Sequence, residues 1–572
     1  MAKLTLMELT SSQTKLFPET VDIPAARDGY AFADEPHHFQ VALRCDTIRG
    51  YAVSVQVTAD IPTEVYREGY VPVNHPMVFD TDTVGFAKRE PGLYPDPLYA
   101  RPSAPVVERA GQLWREKDTK TTINLSSANT AALWIALNPQ GEPLPAGDHT
   151  VTVQVVSIEE GNREPYTIGE MTYTLHVLPH KLAENTVYYT NWFHCDCIAD
   201  TYDIPVWSDR FWEILPSWLT QAAKHGMTTL LIPAFTPPLD TPIDHERMNV
   251  QLVDITVTDT GYVFDFARLE RFIRLALDCG IRYLEHAHLF SQWGAAHAPN
   301  IYDVNGVRLF GWDTDAGGDE YRGFLSAYLT ALMAFSDKLG IRDRWVFHVS
   351  DEPSAEHLEN YRRGRALVEP LIQGCPIADA VYHAEYAANG TVQTPVAEVT
   401  LADAFAKTCG CDRMDEPAEE PIDLWLYYTG GSSRCTNRML PHTHARTRVL
   451  GAILYRYGAV GFLHWGYNFY YDRMSLGLFD PVGDPCGYKQ MPGSPYLVYP
   501  GLNGKPVPSI REMLMQEAMC DLRMLWKAEE LLGKAAVLAI LEEVFGAPVN
   551  CRTIPEGETM LKLHERLYAA LR

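Results

Sequence analysis

Apolar and polar residues alternate with a period of two along the first third of the chain, as they do in half-buried strands. Four segments follow this pattern most closely: 51–61, 121–138, 147–158 and 171–179. Loop-forming residues separate them, for example the Asn-Pro-Gln-Gly-Glu-Pro run at 138–143. Short strands divided by glycine and proline are typical of two packed antiparallel sheets. The pattern therefore predicts an all-β sandwich domain over residues 1–182.

The hydrophobic pattern changes near residue 185, where short apolar strands begin to alternate with amphipathic helices. Several of these helices end at a glycine just before the next strand, as at Gly226, Gly280 and Gly340, which is the expected C-cap chemistry. Eight such units over about 290 residues are typical of a (β/α)8 TIM barrel, and the sixth is the least regular. The strands are expected at 185–194, 228–235, 281–290, 344–353, 376–383, 396–405, 421–431 and 459–470.

Residues from about 508 to the end follow a helical pattern. We expect the first of these helices to close the barrel and the others to form a short helical tail. The predicted fold is therefore a multidomain one. It has a β-sandwich at 1–182, a (β/α)8 barrel at 183–530 and a helical C-terminal segment at 531–572.

Charge and composition exclude several classes of function. The chain has 48 Lys and Arg against 73 Asp and Glu, for a net charge of −25, which disfavours nucleic-acid and anionic-membrane partners. No run of about 20 apolar residues predicts a membrane span, and the first residues do not resemble a signal peptide. The 11 cysteines are odd in number and scattered, which favours reduced thiols in the cytoplasm.

The active site of such a barrel lies at the carboxyl ends of its strands. Indoles, phenols, imidazoles and carboxylates gather at the predicted ends, which suits a carbohydrate. No glycine-rich phosphate loop occurs there, so no cofactor is expected. The candidate substrate-binding residues are Trp192, His194, Glu285, His288, Trp293, His348, Tyr427, His464, Trp465 and Asn468.

The most informative motif is Asp351-Glu352-Pro353, at the end of the predicted fourth strand. Acidic residues also cap helix N-termini, so capping is the simple alternative. The strand-end position and the aromatic residues at the other strand ends favour catalysis. Pro353 biases Glu352 towards an extended conformation, in which the two neighbouring carboxyls point in different directions.

Most glycosidases use two separated carboxylates across the sugar. The predicted seventh strand reads DLWLYYTGG and has no acid at its end. A 2-acetamido sugar can supply its own nucleophile, with Asp351 orienting the acetamido group and Glu352 acting as the acid and base. If the substrate lacks this group, Glu285 or Asp196 is the alternative second carboxylate.

The chain also resembles a known family. The segments SDEP (350–353), WFHCD (192–196), PAFTPPLDT (233–241), HLFSQWGA (288–295), FGWDT (310–314) and LYRYGAVGFLHWGYNFY (454–470) carry the resemblance. They are similar to domain-of-unknown-function family 4091, which is related to the β-N-acetylgalactosaminidases of glycoside hydrolase family 123. The resemblance covers residues 90 to 530. It implies a β-sandwich, a (β/α)8 barrel and substrate-assisted retaining hydrolysis by an adjacent Asp–Glu pair, which corresponds to Asp351 and Glu352.

Other interpretations remain open at this point. The histidines at the strand ends, among them His286 and His288, are compatible with a metal site, but histidines beside a sugar more often bond its hydroxyls, so no metal is expected. A glycosidase with two protein carboxylates is the first rival function. A non-catalytic carbohydrate-binding protein is the second, because fold alone does not fix function.

Overall fold

The structure is a computed structural model. It describes residues 3–77, 84–100, 107–109, 112–114, 121–158, 165–238, 241, 246–291, 294–472, 475, 477–487 and 490–572. Within these ranges, no helix has the length and the apolar character needed to cross a membrane.

The N-terminal region contains two five-stranded sheets and a short antiparallel pair, Val107–Arg109 with Gln112–Trp114. In spatial order the first contains Leu4–Ser11, His37–Cys45, Ala131–Leu137, Thr63–Val73 and Gly92–Ala100. The second contains Asp28–Ala31, Thr167–Val177, Gly147–Ser157, Tyr51–Ala59 and Thr121–Leu125. Neighbours are antiparallel except Asp28–Ala31 and Thr167–Val177. All four predicted strand segments contain strands of these two sheets.

One hydrophobic core lies between the two sheets and holds residues of both, such as Val41 and Leu133 of the first and Val153 and Leu175 of the second. The alternation seen in the sequence therefore marks the inward face of each strand. Phe39 of the first sheet stacks on Tyr173 of the second, with ring centroids 4.2 Å apart.

Eight parallel strands follow among the described residues. From first to eighth they are Tyr188–Asn191, Thr229–Ile232, Tyr283–His286, Trp345–Val346, Ala378–Val381, Thr394–Glu398, Trp425–Tyr427 and Gly461–His464. The second, third and fourth form one sheet, and the first, eighth, seventh, sixth and fifth form another in that spatial order. A parallel bridge between Phe347 and Ile377 links the fourth strand to the fifth. The Thr228 amide donates to the Tyr189 carbonyl at 3.1 Å, beside the first and second strands.

Side chains on one face of these strands form a separate apolar cluster. It consists of Trp192, Leu231, Ala287, Val346, Ala378, Ala380, Val396, Trp425, Tyr427 and Leu463. Trp425 stacks on Tyr188 with centroids 5.0 Å apart. Gly461 is required next to it, because a Cβ there would lie 2.4 Å from the Trp425 ring. Trp425 and Tyr427 share this face, as their spacing predicts. Tyr428 belongs instead to the larger hydrophobic core, separate from this cluster.

Helices connect the strands. They are Cys195–Thr201, Asp209–Lys224, Ala267–Asp278, Asp319–Leu339, Leu358–Val368, Glu385–Ala388, Ala402–Cys409, His444–Arg448 and Leu450–Arg456, with 3-10 turns at Arg342–Arg344, Ala355–His357 and Val399–Leu401. The sixth unit differs from the prediction, because 402–405 belongs to a helix and the strand ends at Glu398. The pattern also missed the hairpin of Asp254–Thr258 with Gly261–Asp265, as well as the short pair Ile301–Tyr302 and Arg308–Phe310.

The C-terminal region is helical, with Ile510–Leu532, Lys534–Phe545 and Gly557–Leu571. A short pair of strands, Tyr499–Pro500 and Pro506–Val507, and a 3-10 turn at Leu502–Gly504 precede it. Helix Ile510–Leu532 packs on the N-terminal sheet through apolar contacts that include Met513 and Trp134. Arg511 and Asp96 form a buried ion pair at 2.9 Å in the same contact.

Candidate active site

Asp351 lies five residues after the end of the fourth parallel strand, and both Asp351 and Glu352 are half-buried. One oxygen of Glu352, Oε1, accepts two phenolic hydrogen bonds. The Tyr427 hydroxyl donates to it at 2.6 Å and the Tyr382 hydroxyl at 2.8 Å. Tyr427 is 3% exposed and Tyr382 is 47% exposed. Burial and the neighbouring Glu352 carboxylate raise the pKa of both phenols, so they remain donors at neutral pH.

The backbone of Glu352 differs from the sequence expectation. Its φ is +44°, which is the left-handed region and not the extended conformation expected before Pro353. A non-glycine residue in this region costs about 1–3 kcal/mol and persists where its surroundings impose it. The two tyrosine hydrogen bonds provide such surroundings. The divergence of the two carboxyls therefore cannot be derived from an extended chain.

The segment before the pair is fixed to the loop after the third strand. Ser350 Oγ donates to the Ser291 carbonyl at 3.0 Å and accepts from the Ala295 amide at 3.2 Å. The Phe290 amide donates to the Val349 carbonyl at 3.2 Å. These bonds fix the backbone directly before Asp351 and Glu352 to that loop.

A fully buried polar network lies next to this backbone. His348 Nε2 is 2.7 Å from Glu285 Oε1, and His348 Nδ1 is 3.8 Å from Asp379 Oδ1. The Trp192 indole donates to Glu285 Oε1 and the Thr190 hydroxyl to Oε2, each at 2.6 Å. Burial alone lowers the pKa of His348, but the carboxylates of Asp379 and Glu285 outweigh it and raise that pKa to about 10. His348 is therefore an imidazolium at neutral pH.

His288 stacks on His348, with centroids 4.6 Å apart and ring planes at 16°. Burial and the charge on His348 lower the pKa of His288, so this ring is neutral. Donor atoms of His288, His348 and Asp379 lie within 4.8 Å of one another. A metal does not suit them, because imidazole lone pairs lie in the ring plane and two nearly parallel rings cannot aim at one ion. His348 is moreover protonated between two carboxylates.

His194 and Asn468 hold two chain segments together. The Asn468 side chain accepts from the His194 amide at 2.9 Å and donates to the His194 carbonyl at 3.0 Å. His194 Nδ1 accepts from Arg247, and Arg247 forms an ion pair with Asp196. Burial and the Arg247 charge lower the pKa of His194 to about 3. The ring is therefore neutral and bonded on both sides, since Nε2 bonds the Trp465 carbonyl at 3.1 Å.

His464 is bonded to a buried arginine. Its Nδ1 accepts from Arg438 at 2.7 Å and from the Gly466 amide at 2.8 Å. Arg438 also donates to Asn191 and to the Gly466 carbonyl, and burial lowers its pKa to about 10. Trp465 is half-buried and packs against the cluster of Trp192 and Tyr427. Trp465 follows the end of the eighth strand and keeps part of its indole exposed.

The structure thus divides the predicted residues into two groups. The first group consists of Asp351, Glu352 and Trp465, which are half-buried, and Tyr427, which donates to Glu352. The others are buried and bonded or stacked within the protein: Trp192, His194, Glu285, His288, His348, His464 and Asn468. Trp293 lies outside the described residues.

Two residues of this site were absent from the predicted set. Tyr382 lies next to the end of the fifth strand, and Asp379 lies within that strand. Asp379 lies inside the predicted strand 376–383, but the sequence does not show which residue a buried carboxylate pairs with. Tyr382 is a tyrosine just after a strand, and this position was the available signal.

Comparison with known proteins identifies the class. The catalytic domain of glycoside hydrolase family 123 matches residues 192–527, which is more than half of the chain. The chain therefore belongs to glycoside hydrolase family 123. No curated protein sequence matches it significantly.

A solved family 123 glycoside hydrolase from Clostridium perfringens, described in a study of glycolipid glycan hydrolysis, has the same fold. It is 13% identical, the match covers 100% of this chain and 98% of that one, and the TM-score is 0.71. β-Glucuronidase 3 of Bacteroides uniformis is 9% identical, with 90% and 52% coverage and a TM-score of 0.29. The family 10 xylanase of Thermobacillus composti is 11% identical, with 58% and 97% coverage and a TM-score of 0.31. The last two likenesses are too weak to bear on the fold.

Proposed function

We propose that this family 123 chain hydrolyses β-linked N-acetylhexosamine glycosides, of the N-acetylgalactosamine type, with retention and with assistance from the substrate. Glu352 is the acid and base, and Asp351 orients the acetamido group. Family membership supports a glycosidase. The sugar and the mechanism are our inference from the site.

One observation carries the proposal: the alternative second carboxylates are already engaged. Both oxygens of Glu285 accept hydrogen bonds, and Glu285 also pairs with His348. Asp196 is paired with Arg247 and buried. A protein nucleophile must present a free oxygen to the anomeric carbon, so these residues are poor nucleophiles. The substrate's own acetamido oxygen then fills that role.

In the first step, the acetamido carbonyl oxygen attacks C1 while the bond from C1 to the leaving oxygen breaks. Glu352 gives its proton to the leaving oxygen. Asp351 accepts a hydrogen bond from the acetamido N–H and stabilises the oxazolinium cation. In the second step, water attacks C1, Glu352 takes a proton from the water, and the ring opens to restore the acetamido group. Two inversions at C1 give net retention.

The hydrogen bonds of Glu352 suit this role. Tyr382 and Tyr427 both donate to Oε1, which leaves Oε2 to exchange the proton with the leaving group. Trp465 offers a flat face for the sugar ring. These features favour catalysis over the non-catalytic binding rival, because binding alone does not require an oriented acid.

The same proposal includes the architecture. We infer a β-sandwich at 1–182, a closed (β/α)8 barrel at 183–530 and a helical tail at 531–572. The support for closure is the order of strand pairing, the bridge at Phe347 and Ile377 and the hydrogen bond from Thr228 to Tyr189. The cytoplasmic location and the absence of a nucleic-acid partner stay predictions from the sequence.

The test compares Asp351→Asn with wild type on β-N-acetylgalactosaminide and β-galactoside substrates, together with inhibition by an N-acetylgalactosamine thiazoline. We expect potent inhibition of wild type, a loss in kcat of about 10²-fold or more for Asp351→Asn on the acetamido substrate, and no release from the galactoside by either protein. Glu356→Gln is the matched control, because Glu356 is a nearby acid whose side chain is 82% exposed. Turnover of the galactoside by wild type that Asp351→Asn slows equally, with no thiazoline inhibition, would contradict substrate assistance.

A further inference from the structure

Glu285, His348 and Asp379 connect the ends of neighbouring parallel strands. Glu285 belongs to the third strand, His348 follows the fourth, and Asp379 belongs to the fifth. Glu285 reaches the first strand as well, through the Thr190 hydroxyl. All three side chains are almost completely buried. A charged group in this position must be paired and hydrogen-bonded, because an isolated buried charge is strongly destabilising.

The network also fixes the main chain that leads to the catalytic pair. Asp379 Oδ1 accepts from the Val349 amide at 2.9 Å, and Oδ2 accepts from the Tyr361 hydroxyl at 2.7 Å. The His348 carbonyl accepts from the Leu289 amide at 3.2 Å. The backbone is therefore held from the third strand, the fifth strand and helix Leu358–Val368, two residues before Asp351.

The groups that face His348 explain its charge. They are the carboxylates of Glu285 and Asp379, the neutral ring of His288 stacked on it, and the indole of Trp192 at its edge. Two carboxylates and one imidazolium give the unit a net charge of −1. The carboxylate oxygens of Glu285 and Asp379 already accept hydrogen bonds from protein donors. They therefore have little remaining capacity to accept a hydrogen bond from a sugar hydroxyl.

We propose that Glu285, His348 and Asp379 form a salt-bridged positioning unit that orients Asp351 and Glu352 without contacting the sugar. The inference rests on the proposed function and deepens it. It reassigns Glu285 and His348 from predicted substrate contacts to residues that act through the backbone at 348–350. Catalytic groups must be held in a near-attack geometry, and a misplacement of about 1 Å costs about 10²-fold in rate.

Positioning and substrate contact have different kinetic signatures. Loss of a sugar contact raises KM, whereas loss of positioning lowers kcat and leaves KM nearly unchanged. Residues that act as one unit also show non-additive losses. Two separate sugar contacts would instead give losses that multiply.

The experiment is a double-mutant cycle with Glu285→Gln and His348→Gln on a β-N-acetylhexosaminide. We expect each single variant to lower kcat about 10²-fold with KM within about threefold of wild type, and the double variant to match the singles. His286→Gln is the control. His286 follows Glu285 in the third strand and is equally buried, but its ring bonds the Tyr328 hydroxyl and not the positioning unit. This variant should therefore keep kcat within about threefold of wild type.

Tyr361→Phe is a milder variant in case the others fold poorly. It removes the Tyr361 hydroxyl, which donates from helix Leu358–Val368 to Asp379. We expect kcat to fall about tenfold with KM unchanged. Losses that multiply to about 10⁴-fold, or a raised KM with unchanged kcat, would overturn the positioning unit while leaving the proposed function intact. Failure of wild type to hydrolyse any acetamido sugar would refute the proposed function and, with it, this role.

Discussion

The charge on His348 predicts how the stability of the protein depends on pH. The pKa of His348 is about 10 in the folded protein and about 6.5 in an unfolded chain. Because the folded pKa is the higher one, the imidazolium stabilises the fold fully below pH 6.5. This stabilisation is lost as pH rises from 6.5 towards 10. At about 1.4 kcal/mol per pH unit, the contribution falls by about 3 kcal/mol between pH 6.5 and 9.

The assay is urea unfolding of wild type and His348→Gln at several pH values from 6.5 to 9. Other groups titrate in this range too, but they titrate in both proteins, so the difference in unfolding free energy isolates His348. We expect the advantage of wild type over the variant to shrink by about 3 kcal/mol across the range. The paired carboxylates cause this effect, since burial alone would leave the histidine neutral.

His286→Gln is the control with the opposite sign. Burial, together with the charge on His348, lowers the pKa of His286 to about 4, so its neutral form is favoured in the fold. Its contribution is present above pH 6.5 and lost as pH falls towards 4. The difference between wild type and this variant should therefore stay constant from pH 6.5 to 9. A constant difference for His348→Gln as well would refute the assignment of a charged His348.

Three further predictions concern the proposed catalytic acid and the contact between the first N-terminal sheet and helix Ile510–Leu532. Glu352→Gln should lower kcat on a β-N-acetylhexosaminide by about 10³-fold while product binding, measured by calorimetry, is retained; turnover at the native rate would contradict the acid assignment. Tyr427→Phe should lower kcat more than Tyr382→Phe, because Tyr427 is buried and Tyr382 is half-exposed; the reverse order in steady-state kinetics would contradict this. Asp96→Asn should lower the unfolding free energy by about 3 kcal/mol or more, because it leaves the Arg511 charge buried without its ion partner; a loss below about 1 kcal/mol in urea unfolding would contradict this.

Much of the architecture follows from periodicity. The change from alternating residues to strand–helix units near residue 185 marks the change from the two N-terminal sheets to the parallel strands. The weak sixth unit was only half predicted, because its helix starts at Ala402, within the segment that alternates as a strand. The hairpin at 254–265 was missed because it lies inside a connection between a strand and a helix, where periodicity carries little information.

The candidate site was predictable in location but not in detail. The strand-end rule led to Asp351 and Glu352, and the missing acid on the seventh strand led to substrate assistance. The strand-end rule could not separate histidines that face a ligand from histidines that are bonded within the protein, such as His194 and His348. That distinction depends on partners distant in sequence, such as His348 and Glu285, which are 63 positions apart. The left-handed backbone of Glu352 likewise comes from its surroundings and overrides the preference set by Pro353.

The most direct test of the central claim is a screen of purified protein against nitrophenyl glycosides. The panel contains the β-anomers of N-acetylgalactosamine, N-acetylglucosamine, galactose and glucose, with Glu352→Gln as the inactive control and Glu356→Gln as the active one. We predict nitrophenol release from the acetamido sugars alone, abolished in Glu352→Gln and unchanged in Glu356→Gln. Release from galactose or glucose that persists in Glu352→Gln would contradict both the substrate class and the catalytic residue.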